Sequence, residues 1–468
     1  MSGRARRLAS RALAPQRLLA VLVALLAAAG TASAHQIQSS RFAAPLPLPY
    51  LYAGAVVTVL VTAAASARLV SDPRPRERTR TLLGRRGTRA LVAAAQSLAV
   101  AGFVLLLYRG FVGRQVRASN VAPLVTWALA FDGLALVAAL VGSPWLALAP
   151  WNAAYDWLCR LEGRTLALRS RAAALGAWPA LAGFLLLVGV LENLSVLPES
   201  PAKTATLLAA YALWMLAGLL VVGPSWRARA DPIGVFLSLV ARVAPAFVHR
   251  DDGRLRVTLR APWAALSRPV SSLGRVAFVV AAVYTISFDG FTSTPPFRAL
   301  LFWTRDAIGV PYAAVGILLY LAGFAGFLAA FALAAALVDR LGGGRDARAA
   351  ARRVAPSVLP IAVAYEFAHY GAYVVTSAAR TLELALGGLG VAVSLAPLAG
   401  LSVPTYWGFE VVVIVAGHVV AVVAAHYATL ARYDDRTRAW RAHAPLVALM
   451  VAYTVLSLWI VSQPVVMN

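Results

Sequence analysis

The sequence predicts an all-α integral membrane protein, a bundle of about ten transmembrane helices behind an N-terminal signal peptide. Three observations predict it. Sixty per cent of the 468 residues are hydrophobic, 13% are charged, and the mean hydropathy is +0.74. Apolar stretches long enough to cross a bilayer recur along the whole chain. The net charge of +24 is carried almost wholly by arginine, with Lys203 the only lysine, and it is concentrated in alternate connections.

Residues 1–34 have the pattern of a secretory signal. Arg4, Arg6, Arg7, Arg11 and Arg17 form the charged start, Leu18 to Ala29 the apolar core, and Ala32-Ser33-Ala34 the small-residue cleavage site. The shortness of the core favours cleavage over an uncleaved anchor. Cleavage leaves His35 as the mature N-terminus, outside the cell. Residues 35–468 then form a single transmembrane domain.

A Pro-rich lead, Pro45-Leu46-Pro47-Leu48-Pro49, enters the first span at 50–67, and its Tyr50 and Tyr52 suit a membrane interface. Eight arginines follow between Arg68 and Arg89. Further spans are read at 90–108, 121–141, 175–194 and 204–223. The longest polar connection, 224–274, is expected in the cytoplasm. Within it Ile233 to Val243 reads as an amphipathic interfacial helix. Asp251-Asp252-Gly253 reads as a turn, and Arg254 to Arg260 alternates like a strand. The remaining spans are 275–290, 312–338, 356–377, 406–430 and 444–462. Connections 291–311 and 378–405 are expected to cap the outer face. With His35 outside, the cytoplasmic connections, counted with Arg275 at the start of the next span, hold 30 basic residues and the outer ones 8. This is the positive-inside pattern, so the charge points to a plasma-membrane protein and not to nucleic-acid binding. The lipid bilayer is the one partner the sequence implies directly.

One cysteine, Cys159, excludes an internal disulfide, a CxxC pair and a thiolate zinc site. HExxH, GxSxG and GxxxxGK[ST] are all absent. Candidate chemistry therefore rests on ionisable residues inside apolar spans, which are costly unless they face the bundle interior or water. Glu366 and His369 stand three apart on one helix face, a spacing that bundles use to hold metals. His418 lies on the next span. His426 lies eight residues further on, roughly 12 Å along the helix and about 80° around it, so the two do not share an ion. Glu192, Asp289 and Glu410 are expected near outer helix ends, and Asp132 deeper. The sharper expectation is a metal site built from His369, Glu366, His418 and His35, with Glu366 and Asp289 as catalytic carboxylates. Imidazole ligands suit Zn or Cu. The plainer expectation is that the carboxylates sit at the interface, paired with Arg298 or Arg305. His249 and His443 read as solvated loop residues.

The order of motifs resembles a family of bacterial multi-pass membrane proteins, common in actinobacteria, called fenitrothion hydrolase-like. The resemblance runs nearly end to end. It rests on Ala34-His35, Pro150-Trp151-Asn152, Trp178-Pro179 with Leu191-Glu192, and Ser225-Trp226 with Asp231-Pro232. It continues through Ser287-Phe288-Asp289-Gly290-Phe291, Ala368-His369-Tyr370, Ala416-Gly417-His418 and Ala425-His426. Two departures touch the expected metal site: Gln36-Ile37-Gln38 replaces a Gly-rich run, and Glu366 replaces a neutral residue. The resemblance implies metal-dependent hydrolysis of a phosphoester at the membrane. The rival expectations are a transporter or metal-handling protein without hydrolytic turnover, and an assembly subunit of a membrane complex that uses 224–274 as its contact.

Overall fold

The structure, a computed structural model, describes residues 47–69, 77–168, 176–433 and 435–463. The expected signal peptide and His35 lie outside the described residues. The chain enters through α1 (Leu48–Leu69), followed by a strand, β1 (Glu77–Leu83), and α2 (Arg85–Val112). Next come α3 (Val121–Val141), α4 (Pro150–Leu161) and α5 (Trp178–Glu192). Then follow α6 (Pro201–Val222), α7 (Pro232–Val240) and the hairpin β2 (Ala246–Asp251) and β3 (Arg254–Arg260). The second half is α8 (Leu273–Thr292), α9 (Pro295–Ile308), α10 (Tyr312–Leu341), α11 (Ala347–Gly387), α12 (Val403–Leu430) and α13 (Arg436–Val461).

Nine helices among the described residues are long and apolar enough to cross a membrane: α1, α2, α3, α6, α8, α10, α11, α12 and α13. The tenth expected span, 175–194, is the shorter apolar helix α5. Most spans turn apolar side chains outward, as lipid-facing helices do, whereas 83% of an 18-residue stretch of α8 is buried, the largest share among these nine helices. Close helix approaches depend on missing side chains. A Cβ on Gly417 would stand 2.3 Å from the Ala364 Cβ and 2.7 Å from the Pro360 carbonyl, so α12 meets α11 backbone to backbone there. Gly189 likewise leaves room for the ring of Tyr320.

Two stretches are π-helical: Leu124–Gly133 within α3 and Leu185–Glu192 at the end of α5. Such widened turns are uncommon and recur at functional sites. Each carries a carboxylate at or beside its last residue, Asp132 and Glu192.

The connection 224–274 departs from expectation in two ways. The helix read over Ile233 to Val243 is α7, and it is not interfacial. Val235, Phe236, Leu237, Leu239 and Val240 are all buried, because an apolar helix with no polar face packs into the core between α3 and α5. The hairpin forms as expected, with Asp252 and Gly253 at positive φ in its turn. The second departure is a third strand. β1, from the first basic connection, pairs antiparallel with β3, giving the order β1-β3-β2. Arg85 ties β1's end to the turn through the Asp252 carboxylate at 2.5 Å. α11 also runs to Gly387, ten residues past the expected end of its span. Finally, the connection expected over 291–311 contains a helix, α9, capped by Thr294 and closed by Gly309 in the left-handed region.

Candidate functional site

Polar side chains gather where α3, α5, α8, α11 and α12 meet. The centre is Asp289 of α8. Its Oδ2 accepts from His369 Nε2 at 2.8 Å and from the Tyr370 hydroxyl at 2.8 Å, both on α11. Glu366, one turn before Tyr370, is buried, and its Oε1 has no hydrogen-bond partner. Asp132, from the π segment of α3, is fully buried with neither carboxylate oxygen bonded. Glu192, from the π segment of α5, keeps a buried Oε2 without a hydrogen bond. Asp132, Glu192, Asp289 and Glu366 lie within electrostatic reach of one another, and Glu410 of α12 within reach of His369. The Tyr365 hydroxyl is buried beside Gly290, where a Cβ would stand 2.6 Å from it. The imidazole of His369, when protonated, sets a positive charge against Asp289 and Glu410.

Glu366, Asp289 and His369 come together as one cluster. His418 does not join them. Gly417 packs on Pro360 and Ala364, which puts His418 roughly one helical turn from the level of Glu366. Its Nδ1–H donates to the Ile414 carbonyl of its own helix at 2.8 Å, leaving a buried Nε2 with no hydrogen bond. Among the described residues, no three His, Cys, Asp or Glu side chains are gathered as a metal-binding group. The expected pairing of the carboxylates with surface arginines is corrected for Asp289 and Arg305. Asp289 is taken by His369 and Tyr370, and Arg305 pairs with Asp306 instead. His443 is also corrected: it is fully buried, its Nε2 3.2 Å from the Val422 carbonyl and its ring 5.2 Å from that of His426. The reason is that α13 begins at Arg436, ahead of the expected span, and carries His443 into the core. His249 sits half-buried on β2, stacked against Phe247.

Asp132, Glu192 and Glu410 belong to the cluster, although their sequence context alone assigns them no site role. Their signal is present, since each is an acid within or at the end of an apolar helix. Their convergence, from three separate spans, is not visible in local sequence.

From the cluster a polar stripe climbs α11. Glu366, Tyr370, Tyr373, Ser377 and Arg380 follow alternating steps of four and three, so they share one helix face. Tyr373, Ser377 and Arg380 line an open cavity of about 660 Å³ at the end of the bundle, opposite Arg117 and Glu199. Arg117 donates to the Tyr373 hydroxyl at 2.8 Å and pairs with Glu199.

Compared with family models, with curated proteins and with solved structures, the chain matches none.

Proposed function

We propose that the protein is a proton-coupled membrane transporter whose coupling centre is the Asp132–Glu192–Asp289–Glu366 cluster. The observation that carries this reading is Asp132, fully buried, with neither carboxylate oxygen bonded, and within electrostatic reach of Glu192, Glu366 and Asp289. Ionised carboxylates removed from water cost several kcal/mol each unless paired. Such a cluster holds together by binding protons or cations, and ionisable groups inside bundles serve as proton relays and ion sites. The two π segments supply helices that can rewind as Asp132 and Glu192 change charge. The test is flux into proteoliposomes loaded with a pH-sensitive dye. A solute gradient is expected to drive a pH change with wild type and none with Glu366→Gln. Equal pH changes in the two would overturn the reading.

The reading includes ten crossings in the plasma membrane. β1 follows α1, and β3 follows α6, yet they pair in one sheet and so share a side. Between them stand α2, α3, α5 and α6, and an even number of crossings requires that α5 cross too. The sheet end of the bundle carries most of the arginine, which makes it the cytoplasmic side by the positive-inside rule and leaves the mature N-terminus outside.

A second reading, hydrolysis of a phosphoester, is favoured by the His369–Asp289 pair. A carboxylate that holds an imidazole at 2.8 Å orients it as a general base. A Zn or Cu ion would have to draw Glu366 Oε1 and His418 Nε2 to one point, and the described donors do not stand so. Metal analysis of purified protein decides this reading. Stoichiometric Zn or Cu lost in His369→Ala and His418→Ala would support it, and metal-free protein after loading would end it.

A further inference from the structure

The end of the bundle away from the sheet is poor in basic residues. Among the described residues it holds Arg109, Arg114, Arg117, Lys203, Arg298, Arg305 and Arg380. Four of these seven line two cavities that share Arg380, of about 660 and 800 Å³. Charge that is scarce at one end of a membrane protein is here collected in one place.

The loop that presents it is tightly built. Asn120 is buried, and its Nδ2 donates to the carbonyls of Arg109 and Arg114 at 2.7 and 2.8 Å. Gln115 Nε2 donates to Gly110 and Gly113, and its Oε1 accepts from the Ala202 amide of α6. A Cβ at Gly113 would stand 2.3 Å from the Arg109 carbonyl, so the turn closes only on glycine. Arg380 is held at the Ala118 carbonyl and by Glu383, and Arg117 by Glu199 and Tyr373. Arg109 and Arg114 remain without a carboxylate partner among the described residues and face the second cavity, where Ser119 and Ser394 supply hydroxyls. The two ion pairs neutralise themselves, and two guanidinium charges are left over.

We propose that these joined cavities bind a small phosphate-type oxyanion, held by Arg109 and Arg114 with Arg117 and Arg380 at its edge. Guanidinium groups match such oxyanions by paired N–H donors. As the recognition site of the solute carried, it rests on the transport reading; as a binding site, it does not. Tyr373 lines the first cavity, bonds Arg117 and lies within electrostatic reach of Asp132 and Glu192, so it links that edge of the site to the carboxylate cluster. The same chemistry fits a free phosphate and the headgroup of an anionic lipid.

The test is calorimetric titration of inorganic phosphate into the full-length protein in an uncharged detergent, without transport. Wild type is expected to bind phosphate, more weakly as salt rises. The double variant Arg109→Gln/Arg114→Gln is expected to bind at least about tenfold more weakly, since each lost charged hydrogen bond is worth about that much. Arg78→Gln/Arg80→Gln, with the same charge change on β1, is expected to bind as wild type does. If phosphate does not bind, but phosphatidic acid in zwitterionic nanodiscs is retained by wild type and lost from the Arg109/Arg114 variant, the site stands with a headgroup as its occupant. Retention of neither, or equal weakening by the β1 variant, would overturn the proposal. A failure of proton coupling in proteoliposomes would sink the transport reading and leave this binding result intact.

Discussion

Asp132 and Asp231 are both buried aspartates, and their surroundings give them opposite roles. Asp231 is fully satisfied. It caps α7 through the Gly234 amide at 2.8 Å, and accepts from Tyr211 at 2.6 Å and Trp145 at 2.9 Å. Asp231→Ala leaves three buried donors unpaired and is expected to cost about 3 kcal/mol or more, read by thermal unfolding in detergent. Burial raises the pKa of Asp231 above the ordinary carboxylate value, although its hydrogen bonds pull the other way. A carboxyl whose folded pKa is raised gives its stabilisation below the unfolded pKa and loses it as pH climbs through the folded one. Asp231→Asn is therefore expected to flatten the fall of Tm with rising pH just above the normal carboxylate range. Asp132 has no bonds to lose. Asp132→Asn is expected to keep or raise Tm, because it removes a buried charge with no partner, while solute-driven proton movement falls to the background of empty vesicles. A large loss of Tm in this variant would make Asp132 a structural group. The apolar setting of Asp132 was legible in the chain. The partners of Asp231 were not, because Tyr211 and Trp145 come from segments far apart in sequence.

Helices were legible as elements because twenty-residue apolar runs leave few other structures in a bilayer. Even 275–290, flanked by a polar Phe288-Asp289-Gly290, forms α8 over Leu273–Thr292. What apolar runs conceal is their winding. A π segment and an α-helix look alike in a sequence of Leu, Val and Ala, so the turns that aim Asp132 and Glu192 inward were invisible. Helix contacts carry a clearer signature in glycine, but only some glycines matter. Gly417→Ala pushes a methyl against the Pro360 carbonyl, which cannot rotate away, and is expected to destabilise by about 1–3 kcal/mol. Gly408 on the same helix has nothing within 4 Å. Gly408→Ala is expected to be neutral or stabilising by up to about 1 kcal/mol through helix propensity. Similar losses of Tm for both variants would mean that the α11–α12 approach is looser than the backbone distance implies.

For the whole molecule, charge and pairing speak to the same question. The basic residues divide 30 to 8 between the two sets of connections, a division that can be counted along the chain. The sheet is hidden from such counting, since β1 is a short exposed strand in an arginine-rich stretch whose partner lies far along the chain. Yet it is the sheet that bears on whether α5, at 15 residues and partly π-helical, crosses the membrane. If it crosses, Glu162 and Val196, exposed on either side of it, face opposite compartments. In a Cys159→Ser background, a membrane-impermeant maleimide is expected to label Val196→Cys in intact cells. Glu162→Cys is expected to react only after permeabilisation. Labelling of both from one side would leave α5 as a re-entrant segment. In that case β1 and β3 could share a compartment only if α2, α3 or α6 also failed to cross, and each of those is at least 21 residues of apolar helix. The reversed pattern would keep ten crossings but turn the bundle over, placing the Arg109–Arg114 cavities, and any oxyanion they take, on the cytoplasmic side.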